Sequence, residues 1–98
     1  MIKLDSYKSF QWDKGNIDKS YQKHGITPNE SEEAFLDAKA IILKDIKHSS
    51  KEKRYSLIGR TTVNKLLFVV FTLRENKIRI ISARKANEKE KGKYAKKI

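Results

Sequence analysis

The chain has 98 residues, with 23 lysines and arginines against 12 aspartates and glutamates, for a formal charge of +11. This length implies one domain, 1–98, with a single thin core, and the charge points to a polyanionic partner: RNA, DNA, an acidic protein or an anionic membrane surface. With no cysteine there are no disulfides or thiolate sites, and no apolar run is long enough to span a membrane or serve as an export leader, so a cytoplasmic protein is expected.

Tyr7 to Trp12 alternates polar and aromatic residues and reads as a short strand with Lys8, Phe10 and Trp12 on one face. Asp13 then caps a first helix, in which Ile17, Tyr21 and His24 share a face and Gly25 supplies the left-handed stop. Thr27-Pro28-Asn29-Glu30 is a capping box with proline at the first helical position. Ala34, Phe35 and Ala38 form the stripe of that second helix. Ile41-Ile42-Leu43 reads as a strand and Lys47 to Lys53 as a polar loop. A meander follows: Tyr55 to Thr62, Leu66 to Leu73 and Lys77 to Ala83, broken at Val63-Asn64-Lys65 and at Glu75-Asn76. Leu66 to Phe71 is apolar on both faces, which predicts a central, doubly covered strand. A last helix starts near Asn87. Its apolar content is thin (Ala86, Tyr94, Ala95 and Ile98) and Gly92 weakens it, so it is expected to be mobile or to lean on a partner. The order βααββββα gives an α+β domain: a small, mainly antiparallel sheet with two N-terminal helices and one C-terminal helix.

All five arginines, Arg54, Arg60, Arg74, Arg79 and Arg84, fall in one stretch that holds only two lysines, Lys65 and Lys77; everywhere else positive charge is lysine. A guanidinium grips phosphate or carboxylate with two parallel hydrogen bonds, which an ammonium cannot do. The segment is therefore either a site for an anion or a sheet face of ion pairs. Arg79 and Arg84 differ by an odd number of positions. They share a site only if the strand ends near Ala83 or a bulge realigns them.

Three residues are candidates for moving protons. His24 ends the first helix and titrates near neutrality, though the same position suits a packed helix-end histidine. Glu52 lies two residues before Arg54 and is either an ionised base or a surface ion pair. Glu90 follows Ala86 and precedes Tyr94 at spacing four, on the face that packs inward. It is either functional or the second half of an Asn87–Glu90 capping box. His48 sits in a polar loop. No nucleophile elbow, phosphate loop, dinucleotide fingerprint or metal motif is present, and the two histidines have no metal-ligand spacing. An enzyme here works without metal or cofactor. Ribonucleolytic cleavage suits that limit, because the ribose 2′-OH is itself the nucleophile and the protein adds only a base, an acid and cations. Trp12, Tyr55 or Tyr94 can stack a splayed base.

The run Phe10-Gln11-Trp12-Asp13-Lys14-Gly15-Asn16 with Lys23-His24-Gly25-Ile26 resembles the opening motif of the BrnT toxins. The later pattern agrees: His48-Ser49, Glu52, Arg54, Gly59-Arg60-Thr61, Val70-Phe71-Thr72, Arg74, Ile78-Arg79-Ile80-Ile81-Ser82-Ala83-Arg84, Asn87, Glu90 and Tyr94. The resemblance runs from Phe10 to Tyr94. It implies a RelE-like fold and the ribonuclease half of a bacterial type II toxin–antitoxin pair. The family's antitoxin, BrnA, carries a ribbon-helix-helix part, and the complex reaches operator DNA only through it. The motif positions carried over are Lys23, His24, Glu52, Arg54, Arg60, Arg79, Arg84 and Glu90. Ser20 and Lys91 depart from the family pattern, where asparagine and arginine are usual. In the resulting reading Arg54, Arg79 and Arg84 neutralise the scissile phosphate and His24, Glu52 or Glu90 handles protons. Lys23 and Arg60 seat the RNA backbone, and Trp12 and Tyr94 meet bases. The alternative is a non-catalytic basic module that binds nucleic acid or a partner, as an inactive toxin relative would.

Overall fold

The structure, a computed structural model, describes residues 9–13, 16, 23–45 and 52–97. Strands β1 (Ser9–Phe10), β2 (Ile41–Asp45), β3 (Arg54–Arg60), β4 (Leu66–Arg74) and β5 (Lys77–Lys85) form one sheet in the order β1-β5-β4-β3-β2. Only the β1–β5 pair is parallel. Helix α1 (Pro28–Phe35) precedes β2, and α2 (Glu88–Lys97) closes the chain. Of the expected first helix, Lys23 and His24 are helical and Gly25 follows in the left-handed region at φ 72°; residues 17–22 lie outside the described residues. Among the described residues there is one full helix in the middle and one at the end, so the α+β class holds while the arrangement of two N-terminal helices and one C-terminal helix is not confirmed.

Local chemistry accounts for the boundaries. Thr27 Oγ1 accepts from the Glu30 N–H, and the Glu30 carboxylate accepts from the Thr27 N–H, so α1 starts on the capping box. It ends at Phe35, short of Ala38, which is exposed in the turn beyond. Glu75 and Asn76 (φ 47° and 65°) both take left-handed backbone, the pair of angles that joins two strands in a tight hairpin.

The sheet has two unlike faces. On one, Leu57, Leu67, Val69, Phe71, Ile78, Ile80 and Ala83 pack with Ile26 and Ala34. Phe35 bridges Phe10 and Phe71 through edge-on contacts at 5.3 and 5.0 Å. Helix α1 lies directly on β3, because a Cβ at Gly59 would run into the Ala34 carbonyl. On the other face Phe68 and Val70 are only half-buried. Strand β4 is thus central as expected but not doubly covered: α1 closes one side, and α2 crosses only part of the other.

Candidate nucleic-acid interface

Strand register decides where the arginines go. In β3 and β4 the odd positions Leu57, Leu67, Val69 and Phe71 face the α1 core, so Arg54, Arg60 and Arg74 face the opposite way. Strand β5 would split its arginines, but Val70 pairs with Ser82 while Phe71 pairs with Ile80, and Ile81 is left over as a bulge. After the bulge Ala83, not Ser82, faces the core with Ile78 and Ile80. Arg79 and Arg84 therefore return to the same face, and all five arginines share it. Arg54 and Arg79 stand opposite Thr72 from either side, so their Cα atoms are about 10 Å apart, two strand spacings.

At one end of this face the carboxylates come from distant loops. Asn16 is buried; its amide donates to the Ile80 carbonyl at the bulge (2.9 Å) and to the Gln11 carbonyl (3.0 Å), and its own oxygen accepts from the Asp13 N–H (2.8 Å). That staple sets Asp13 beside Arg79, which donates to both carboxylate oxygens at 2.7 and 3.1 Å. Arg74 does the same to Glu52, at 3.1 Å twice. Thr72 Oγ1 donates to the Lys53 carbonyl (2.8 Å), holding the segment that carries Glu52 against the sheet. Both acids are open to solvent: the Asp13 side chain is 50% exposed and that of Glu52 35%.

At the other end α2 supplies the partners. Arg84 donates to both oxygens of Glu90 at 2.8 Å and lies over the Phe68 ring, 4.4 Å from its centre. The same carboxylate accepts from the Asn87 N–H, while Asn87 Oδ1 accepts from the Glu90 N–H, so the capping box is also formed. Burial works against the Glu90 charge, but the bonds from Arg84 and Asn87, with the charges of Arg84 and Lys93, outweigh it and hold the carboxyl below its ordinary range. Arg60 covers the Tyr94 ring at 5.4 Å. Tyr94 is 3% exposed and donates its hydroxyl to Asp37 at 2.6 Å. Burial and the Asp37 carboxylate raise the Tyr94 pKa, keeping the phenol a donor.

Between the two ends lies a groove of about 530 Å³. Phe68, Val70, Ile81 and Leu43 line it with apolar surface, Ser56 and Ser82 offer hydroxyls, and Arg54, Lys44, Lys89 and Lys93 bring positive charge, with Glu90 and Asn87 at the foot of α2. An apolar floor under a cationic rim suits a nucleobase with its phosphates. Among the described residues no three histidine or carboxylate side chains gather to hold a metal ion, and no helix is long and apolar enough to cross a membrane.

The candidate residues thus divide. Arg54, Arg60, Arg79, Arg84, Glu52 and Glu90 belong to the arginine face. Glu52 bonds Arg74 rather than its sequence neighbour Arg54. Trp12 does not belong there: its indole N–H donates to Glu32 of α1 at 2.6 Å, and the ring packs on the α1 core. Lys23 and His24 are exposed in the segment leading into α1. Tyr94 has its hydroxyl on Asp37 and its ring under Arg60, with little surface left for a base. Sequence reasoning missed Asp13 and Asn16 as the loop that meets Arg79, and Lys89 and Lys93, whose spacing of four on α2 places them together above the groove.

An α+β domain that gathers every arginine on one sheet face, around a groove with an apolar floor and a cationic rim, has the makeup of a small anion-binding domain. The family model of the ribonuclease toxin BrnT, of type II toxin–antitoxin systems, matches residues 12–90, and the chain belongs to that family. As a type II toxin it has RNA as substrate class and an antitoxin as partner. No curated protein matches the chain.

Proposed function

We propose that this chain is a single-domain, RelE-like endoribonuclease toxin of the cytoplasm that cuts RNA without a metal and so stops translation. The groove over Phe68 and Val70 seats the RNA, and Arg54, Arg79 and Arg84 carry the charge of the scissile phosphate. The ribose 2′-OH attacks that phosphate and gives its proton to Glu52. The 5′-oxygen leaves with a proton taken from water, giving a 5′-OH, and a 2′,3′-cyclic phosphate remains. Lys23 and Arg60 seat the backbone further out, and Trp12 and Tyr94 support the site from behind rather than by stacking. Glu52 suits the role of base better than its rivals. The Glu90 carboxylate already accepts three hydrogen bonds, and His24 stands in the segment that enters α1. A ribbon-helix-helix antitoxin neutralises the toxin and brings the complex to operator DNA; that part rests on the family resemblance.

The observation that carries this reading is the bulge at Ile81, which turns Arg79 and Arg84 to the side of Arg54. Incubation of the full chain with a generic RNA in EDTA tests it. Cleavage products ending in 2′,3′-cyclic phosphate are expected. A gel shift without cleavage would favour the second reading, a non-catalytic RNA-binding relative. One observation speaks for that reading: Arg74, Arg79 and Arg84 each already hold a carboxylate with two bonds.

A further inference from the structure

Helix α2 is a ridge with a groove on each side. Lys89, Glu90 and Lys93 look onto the groove described above. Lys91, Tyr94 and Ala95 look onto a second one of about 510 Å³, closed on its far side by the β3–β4 connection. This second groove also has an apolar floor and a basic rim: Leu66, Ala86 and Ala95 below, Lys65, Lys85 and Lys91 around it.

Its surroundings separate it from the first. Two large apolar side chains stand out as exposed among the described residues, Leu36 at 80% and Val63 at 66%. Both lie at this end of the molecule. Val63 is at the tip of the β3–β4 connection, and Leu36 caps α1 where Glu33 accepts from the N–H and hydroxyl of Thr62. A shallow depression lined by Leu36, Arg60 and Thr62 extends the groove towards α1; its two acids, Glu33 and Asp37, already accept from Thr62 and from Tyr94 and the Arg60 N–H. Exposed aliphatic surface does not stack bases; it is buried by protein. The one aromatic side chain in the groove, Tyr94, has its ring under Arg60 and its hydroxyl on Asp37. Of the lysines, Lys85 is exposed, while Lys65 holds Glu30 at 2.7 Å and Lys91 reaches Glu88 at 3.3 Å, each still partly open to solvent.

We infer that this second groove is a docking site for an acidic segment of a partner protein that carries aliphatic anchors. Aliphatic side chains of the segment cover Leu66 and Ala95 and reach Val63 and Leu36, while its carboxylates face Lys65, Lys85 and Lys91. The site is separate from the groove over Phe68, although Arg60, placed at the outer end of the RNA path, also lines it, and the two differ in what they exclude. The first offers an open aromatic floor, Phe68; in the second the one ring, Tyr94, is shut under Arg60, and the free floor is aliphatic carbon with lysine around it. RNA and the acidic segment therefore occupy opposite sides of α2.

The test uses the full chain and three labelled probes read by fluorescence anisotropy. These are a peptide alternating glutamate and leucine, a glutamate-only peptide of equal charge, and a single-stranded 2′-O-methyl RNA. Two variants are compared, Lys85→Glu/Lys91→Glu and Lys89→Glu/Lys93→Glu, all four lysines being exposed; thermal melts identify any variant that has lost its fold, and Val63→Asp serves in place of one that has. The glutamate–leucine peptide binds more tightly than the glutamate-only one. Reversing Lys85 and Lys91 weakens it by about tenfold or more while leaving RNA affinity within about twofold. Reversing Lys89 and Lys93 does the opposite. The proposal is overturned if both variants weaken both probes alike, if Lys85→Glu/Lys91→Glu weakens only RNA, or if the peptide is unaffected by it. Peptide binding is read without cleavage, so an inactive nuclease would leave the result intact.

Discussion

The two ends of the arginine face use the same side chain for different ends. Near β1, Arg79 and Arg74 hold Asp13 and Glu52, acids that remain open to water. Near α2, Arg84 holds Glu90, whose side chain is only 11% exposed, and lies flat on Phe68. The Arg74–Glu52 pair, open to water on both sides, contributes about 0–1 kcal/mol and gives way readily to another anion; in the other pair Arg79 is only 14% exposed, but the Asp13 it holds is half open to water. A pair that also caps a helix and stacks on a ring does not give way, so Arg84 meets the phosphate through its charge without releasing Glu90. An arginine that grips a carboxylate is therefore not removed from function by that grip; what counts is how strongly the carboxylate is itself held. On this view Asp13 and Glu52 keep their arginines extended and oriented until phosphate displaces them, while Glu90 fixes the wall of the groove.

The comparison breaks most readily at Arg79. Arg79→Ala should lower RNA cleavage by about a hundredfold or more, the usual scale for losing one preorganised charge donor, with the melting temperature little changed. A large fall in melting temperature together with retained specific activity would make Arg79 structural and erase the contrast. Next comes Glu90→Gln. Losing the carboxylate strips Arg84 of its partner and weakens the cap on Asn87, so stability should fall by about 2 kcal/mol, visible in calorimetry as a melting point lower by roughly 8–15 °C.

A smaller effect follows from pH. Glu90 and Asp37 both have folded-state pKa values held below their ordinary ones, Glu90 by Arg84 and Asn87 and Asp37 by Tyr94 and backbone N–H groups, in each case against burial. A lowered pKa means stability that is full above the unfolded value and is lost as pH falls through the folded one. Amide exchange in α2 should accelerate below about pH 4.5, the ordinary glutamate value, before exchange in β4 does. In Glu90→Gln that acid step should shrink. A comparable or smaller effect belongs to Asp13→Asn, which should cost about 1 kcal/mol of stability, since Arg79 is only 14% exposed and loses a two-bond partner, and leave RNA affinity equal or higher, because the competing carboxylate is gone.

Much of this architecture was legible in advance, and the exceptions share a cause. The Thr27–Glu30 capping box, the meander, the turn at Glu75-Asn76 and the Asn87–Glu90 cap are local devices, each written within a few adjacent residues. That Arg79 and Arg84 share a face only if the strand ends near Ala83 or bulges could be stated from parity alone; the bulge is the outcome. Partner choice could not. Asp13 meets Arg79 across 66 positions and Trp12 meets Glu32 across 20, and such pairings depend on the sheet order, including the parallel docking of β1 on β5. Glu52 pairs with Arg74, not Arg54, because the Lys53 carbonyl is tied to Thr72 Oγ1, which carries Glu52 past the start of β3 towards the end of β4. The last helix was expected to be weakly held because its apolar stripe is thin; it is fastened instead by polar clamps, Arg84–Glu90 and Tyr94–Asp37, which hydrophobic periodicity does not register.

The most direct test of the account is to map a non-cleavable 2′-O-methyl RNA onto the full chain by amide chemical shifts. The account predicts that Arg54, Ser56, Val70, Arg79 and Ser82 move together on titration, while Ala34, Phe35 and Glu32 on the α1 side stay still. Shifts centred on α1, with the arginine face silent, would contradict it.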